Sequence, residues 1–189
     1  MTVAALFIDP DGPYPALGVD CWDASRGAQF YPGPYPVVAH PPCGPWGKLV
    51  RRCGPALMAQ RWLAVNALHS VRMFGGVLEH PDGSRLWVEH DVPPPGGLPD
   101  AWGGWTLRID QARWGHPCRK TTLFYIVGRF DLPPIPPPRK PTHVITSSLR
   151  KSDPRRLPDV PSDQTHITPP ALAAWLVELA AGCRRRPEA

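Results

Sequence analysis

The sequence predicts a three-layer α/β fold with a mainly parallel sheet, proline-rich loops and a C-terminal helix packed on the core. Three observations carry that prediction. Between Val37 and Leu78 a short apolar run, a stretch of helical periodicity and a second apolar run follow one another, which is the strand, helix, strand order of a parallel sheet. Proline supplies 28 of the 189 residues, about three times its average usage, so long ordered loops must join a few regular elements. Near the C-terminus, Thr168-Pro169-Pro170 opens a segment whose apolar residues recur at helical spacing. The arrangement is Rossmann-like, and sheets of this kind carry their working residues at the carboxyl ends of strands.

Taken in order, Val3 to Ile8 reads as a buried strand ended by Asp9-Pro10-Asp11-Gly12, a turn sequence. Val37 to Ala39 reads as a second strand, stopped by Pro41 and Pro42. From Pro55 to Phe74 the pattern is helical, with Leu57, Ala64, Leu68 and Val71 on one stripe and Gln60, Arg61 and Arg72 away from it. Gly75-Gly76 ends that helix, and Val77-Leu78 is a third strand. Val92 to Gly104 is a Pro/Gly loop, and Trp105 to Ile109 and Thr121 to Val127 are two more strands. Residues 132–165 form an irregular, proline-rich and basic connector within one domain spanning 1–189. Thr168 is the expected N-cap of the last helix, with proline at its first position. Leu172, Trp175, Leu176, Leu179 and Ala180 supply the stripe that docks it, and Gly182 closes it.

The formal net charge is +5, with basic clusters at Arg139-Lys140, Arg150-Lys151, Arg155-Arg156 and Arg184-Arg185-Arg186. A polyanion is the partner such a surplus suits, and a solvated surface is the plainer explanation. The five cysteines (Cys21, Cys43, Cys53, Cys118 and Cys183) are odd in number, irregularly spaced and free of any CxxC pair. They read as reduced thiols of a cytosolic protein. The opening MTVAALFIDPDG lacks a signal-peptide pattern, and no apolar run reaches the ~20 residues that span a bilayer. The expected location is therefore the cytoplasm, with no membrane partner.

Chemistry concentrates in three places. Cys43 follows a buried strand in a loop stiffened by Pro41, Pro42 and Pro45, where a nucleophile would be held in place; an ordinary buried cysteine is the alternative. Glu79 directly follows Val77-Leu78, so neighbouring strand ends can bring it to the crevice of Cys43, where a carboxylate can exchange a proton beside a thiol. A surface glutamate at a loop entry is the alternative there. Gln111 and Arg113, two apart on a segment read as extended, would point to one side and offer planar groups suited to a base edge or a phosphate. His116 and Lys120 add donors nearby. His40, Cys43, His116 and Cys118 also make HxxC and HxC spacings, but structural zinc uses tighter and more regular ligand pairs, and no metal is expected.

In sequence order, VVAHPPC, GVLEHPDGSRLW, QARWGHPCRKTTLFYIVG and THITPPALAAWLVELAAG resemble the Pro-Cys, Glu-Asn-Val/Pro, Gln-x-Arg and final-helix motifs of DNA cytosine-C5 methyltransferases. The likeness is nearest to small phage-encoded methyltransferase-like proteins and covers roughly Val37 to Gly128 and Thr165 to Gly182. It implies that Cys43 attacks C6 of a pyrimidine ring and that Glu79 holds N3 and the exocyclic group. Arg113 would contact O2 or the thiolate region. Pro42, His80, Gln111, His116 and Lys120 would line the substrate, in DNA or a pyrimidine nucleotide. The family's methyl donor, S-adenosylmethionine, would lie near Phe7, Asp9 and Thr168, and a base within a duplex would have to be flipped out. The host cytoplasm would be the location of a phage-encoded chain.

The sequence departs from the family at three points. His80 stands where the family has asparagine, and Gly115 where it has a second arginine. The glycine-rich FxGxG loop is replaced by Phe7-Ile8-Asp9-Pro10-Asp11-Gly12-Pro13, in which only Phe7 and Gly12, with Leu6 before them, fit loosely. Three functions therefore stand side by side. One is methyl transfer to cytosine C5 through a Cys43 adduct. Another is a different pyrimidine modification or cleavage without S-adenosylmethionine. The third is an inactive methyltransferase-like scaffold that binds nucleic acid or a host protein, as a phage counter-defence factor would.

Overall fold

The structure is a computed structural model and describes residues 2–47, 54–145 and 149–184; Cys53, Arg185 and Arg186 lie outside the described residues. Six strands form one sheet: β1 (Ala4–Leu6), β2 (Asp20–Trp22), β3 (Val37–Ala39), β4 (Gly76–Pro81), β5 (Trp105–Asp110) and β6 (Thr121–Val127). Their order is β2-β1-β3-β4-β6-β5. The pairs β1–β2, β1–β3 and β3–β4 are parallel, whereas β6 runs antiparallel to both β4 and β5. The sheet is thus mixed, not mainly parallel as the sequence suggested. Only ten residues, 111–120, separate β5 from β6, too few for the crossover a parallel pair requires. The chain turns back and inserts β6 between β4 and β5.

Helix α2 (Arg61–Phe74) covers one face of the sheet. Its Ala64, Ala67, Leu68 and Val71 are fully buried against Ala4, Leu6, Val37, Ala39 and Leu78. A short α1 (Pro55–Met58) precedes it, so the single helix expected from Pro55 to Phe74 is broken at Ala59 and Gln60. Arg72 also departs from expectation. It is half-buried, donating to Tyr125 and to the Asp100 carboxylate and stacking 3.8 Å above the Trp102 ring.

The opposite face is covered by α4 (Pro170–Ala181), whose Leu172, Leu176 and Leu179 pack on Ala5, Val38, Val77, Phe124 and Ile126. Each such leucine contributes roughly 1.5–3 kcal/mol. The N-cap of α4 is Pro169, with no side-chain cap, so Thr168 lies one residue outside the helix and does not cap it. A turn of helix, α3 (Leu86–Glu89), follows β4.

Gly76 fixes the register of the central strands. It pairs with Val37 at φ +120°, and a Cβ there would lie 2.0 Å from the Val37 carbonyl oxygen. Only glycine allows the two backbones to approach this closely. No helix among the described residues is long and apolar enough to cross a membrane.

Candidate functional site

The chain leaves β1 toward β2 on one side, while β3 and the rest of the sheet lie on the other. A crevice opens outside the carboxyl ends of such strands, where ligands bind in open α/β sheets. Here it is a cleft of about 1260 Å³. Residues 7–14 after β1, His40 to Cys43 after β3, and Glu79 and Pro81 of β4 form its floor. Because β6 is reversed, its start and the residues before it, Arg119 to Thr122, reach the same end. His143 to Ile145 and Thr165 to Thr168 form the outer wall.

The loop that carries Cys43 is anchored on both sides. Cys43 caps a 3₁₀ turn over Gly44–Trp46, closed by the Trp46 amide donating to the Cys43 carbonyl at 3.0 Å. Trp46 is buried, lies under the Arg61 guanidinium at 3.9 Å, and accepts the Arg85 amide on its carbonyl. On the other side, the His40 amide donates to the Leu6 carbonyl at 3.0 Å. The residue is exposed at the cleft surface, with protein walls close around the sulfur. Burial, then the Glu79 charge, raise the thiol above its ordinary value, and Lys120 opposes them. The resting group is a thiol, so its proton must leave as it attacks.

Glu79 is the hub of the site. His40 Nδ1 lies 3.3 Å from its Oε2, Gln111 Nε2 donates to Oε1 at 3.0 Å, and the Thr122 hydroxyl donates to Oε1 as well. Burial, the largest single influence, pushes the carboxyl up. The His40 hydrogen bond, the Lys120 charge and the Thr122 hydroxyl together outweigh it and bring the group down to about 2. Behind His40, the Tyr14 hydroxyl lies 2.5 Å from Nε2. Burial and then the Glu79 charge hold that phenol well above its ordinary value. A continuous line of polar groups thus runs from Tyr14 through His40 to Glu79.

Of the residues named from sequence, Cys43, Glu79, Pro42, Lys120, Phe7, Asp9 and Thr168 line this one cleft. His80, Gln111, Arg113 and His116 do not. Gln111 and Arg113 lie in a 3₁₀ turn, Gln111–Trp114, not on an extended segment. At ~120° per residue, positions two apart then diverge. Gln111 reaches Glu79, while Arg113 donates to the Pro136 carbonyl at 2.7 Å. His80 faces the opposite side of β4 from Glu79, fully buried edge-on to Trp87. Burial holds its ring down to about 4, despite the nearby Glu79 charge and Pro42 carbonyl. His116 is buried too, and its Nδ1 accepts the Cys118 amide at 3.1 Å. Sequence reasoning missed Tyr14 and Thr122. Tyr14, set between Pro13 and Pro15, carries the same proline framing that drew attention to Cys43.

The loop after β1 was expected to approach a methyl donor. Instead Asp9 Oδ1 accepts the Asp11 amide at 3.0 Å and the Asp9 carbonyl accepts the Gly12 amide at 2.9 Å. Pro10 and Pro13 have no amide proton to offer. A Cβ on Gly12 would meet the Asp9 carbonyl oxygen at 3.0 Å and the Asp9 Cβ at 3.4 Å, so the glycine serves the turn. Two carboxylates, two prolines and a turn closed on Asp9 stand where the resembling family has its glycine-rich cradle for S-adenosylmethionine. Among the described residues no group of three or more His, Cys, Asp or Glu side chains is gathered to hold a metal ion.

Arg119 is exposed where it lines the cleft; outside it, Arg139, Lys140, Arg150 and Lys151 are exposed, whereas Arg155 pairs with Asp153 and Arg156 with Asp159. No protein-family model matches this chain, and no curated protein matches it.

Proposed function

We propose that the chain is an enzyme acting on a pyrimidine ring, in which Cys43 adds transiently to C6 and thereby activates C5. What supports this most is the pairing of a proline-fixed thiol with a buried, ionised carboxylate at the ends of adjacent strands, in one cleft large enough for a nucleotide. As the C6–S bond forms, the Cys43 proton passes to solvent water at the cleft surface and the C5–C6 π pair moves toward the C4 substituent, leaving C5 nucleophilic. C5 then takes an electrophile. Loss of a C5 proton and departure of the thiolate restore the ring.

The motif resemblance would make that electrophile a methyl group. The closed loop after β1 does not favour this, and it favours the reading in which C5 is modified without S-adenosylmethionine. The substrate stands as DNA or a nucleotide. The exposed Arg139, Lys140, Arg150 and Lys151 lie in the connector that walls the cleft and suit phosphates without reading sequence.

The test needs no cofactor. With solvent deuterium as the only electrophile, reversible addition exchanges the C5 hydrogen of the pyrimidine, seen by mass spectrometry or proton NMR. Cys43→Ala should reduce exchange to the uncatalysed background while leaving the circular dichroism spectrum and thermal midpoint intact. Exchange at the wild-type rate in that variant removes Cys43 from the chemistry.

A further inference from the structure

Resting on the cysteine chemistry just proposed, we infer that the cleft accepts the imide edge of a uracil-type ring, N3–H between two carbonyls, and disfavours the N3 edge of cytosine. The ground is the hydrogen-bond inventory of Glu79. An ionised carboxylate offers about four lone-pair sites and no donor. Gln111 and Thr122 fill the two on Oε1. The reversed Gln111 amide would set oxygen against oxygen, so the nitrogen must face Glu79. The hydroxyl proton of Thr122 has a second acceptor in reach, the His80 carbonyl at 2.9 Å, but the charged carboxylate is the stronger one.

His40 fixes the third site. Tyr14 keeps its proton and can donate it to Nε2, and the neutral His40 ring then carries its own proton on Nδ1. In the charged ring both nitrogens are protonated. Either way an N–H points at Oε2. One acceptor site is left on a carboxylate whose side chain is 12% exposed and lines the cleft. That site suits a single N–H on the base. Uracil supplies one at N3. Cytosine can offer that site only its N4–H, which sets the neighbouring N3 lone pair against the carboxylate, and a proton at N3 is one that Glu79 does not carry.

The activated ring points the same way. After thiol addition to a uracil-type ring, negative charge gathers on O4, which a nearby ammonium can stabilise. Lys120 lines the cleft, and its charge acts on both Cys43 and Glu79. In cytosine the charge gathers on the N3–C4–N4 unit, which calls for a proton donor at the place where this site has an acceptor.

The experiment compares C5 hydrogen exchange in D₂O on deoxyuridine and deoxycytidine. Both are offered as 5′-monophosphates and within random-sequence single-stranded oligonucleotides. A mismatched buried partner of this kind is worth roughly 10- to 100-fold, so uracil should exchange faster by about that factor. Glu79→Gln, whose carboxamide presents a donor, should narrow or invert the ratio. Should that variant not fold, the wild-type ratio decides alone. Exchange on cytosine at an equal or greater rate overturns this inference and leaves the Cys43 chemistry standing. If neither ring exchanges, the proposed function and the inference both fail.

Discussion

The loop after β1 closes a turn on Asp9, which captures the amides of Asp11 and Gly12, whereas the loop after β3, closed by its own Trp46 and Gly47 amides, is in addition gripped by residues of other elements. His40 reaches back to Leu6, Trp46 is clamped by Arg61 and Arg85, and Cys43 is left at the cleft surface. Both loops end neighbouring parallel strands and both are rich in proline. What separates them is the hold from outside on Trp46, through its ring and its carbonyl. A loop anchored in this way can present a reactive group in a fixed place.

The sharpest way to break this contrast is to disturb the register that brings the second loop beside Glu79. Gly76→Ala places a methyl group 2.0 Å from the Val37 carbonyl oxygen, at a φ of +120° that side chains rarely adopt. The clash is with backbone, so β3 and β4 must separate. We expect the variant to be insoluble or unfolded, read by circular dichroism and expression in the soluble fraction. A folded variant with native exchange activity would mean that the register does not govern the site.

A smaller effect tests the electrostatic side. Glu79 sits near 2 against an ordinary value of 4.5. Its folded value is depressed, so the stability it contributes is present above about pH 4.5 and is lost as the pH falls toward 2. The size is on the order of 3 kcal/mol. His80, held down to about 4 from 6.5, acts in the same direction but earlier. The unfolded chain takes up that proton first, so stability falls between about pH 6.5 and 4. Urea unfolding at stepped pH should show both losses in the wild type. Glu79→Gln should keep the His80 loss and flatten the lower one, and an unchanged lower limb would show that Glu79 is not held ionised.

These two residues also mark how far sequence alone reached. The strand Val37–Ala39, the strand Thr121–Val127 and the apolar stripe of the last helix were readable because burial imposes periodicity and run length on the residues themselves. Cys43 and Glu79 could be assigned to one crevice because Glu79 directly follows one apolar run and Cys43 lies four residues beyond the end of another. The reversal of β6 was not readable, since a buried strand has the same composition in either direction. Nor was the side to which each residue turns. Glu79 and His80 are neighbours on β4 and face opposite sides of the sheet, and the 3₁₀ turn at Gln111 to Trp114 separates two side chains that an extended segment would have aligned. Tyr14 and Thr122 act through partners 26 and 43 positions away, a distance no local pattern encodes.

The smallest effect comes from the loop after β1. Asp9→Ala removes the bond to the Asp11 amide but leaves the carbonyl bond to Gly12, and Asp9 is exposed. The cost should be ~1 kcal/mol or less, with C5 exchange at Cys43 unchanged. Calorimetry with S-adenosylmethionine should be silent for the wild type, for Cys43→Ala and for Asp9→Ala alike. The variant frees one amide, while Pro10 and Pro13 still supply none, so opening the turn does not build a cradle. Saturable wild-type binding in the micromolar range would reverse this side of the comparison. The loop would then have to rearrange on binding, and methyl transfer would become the reaction to which the Cys43 adduct leads.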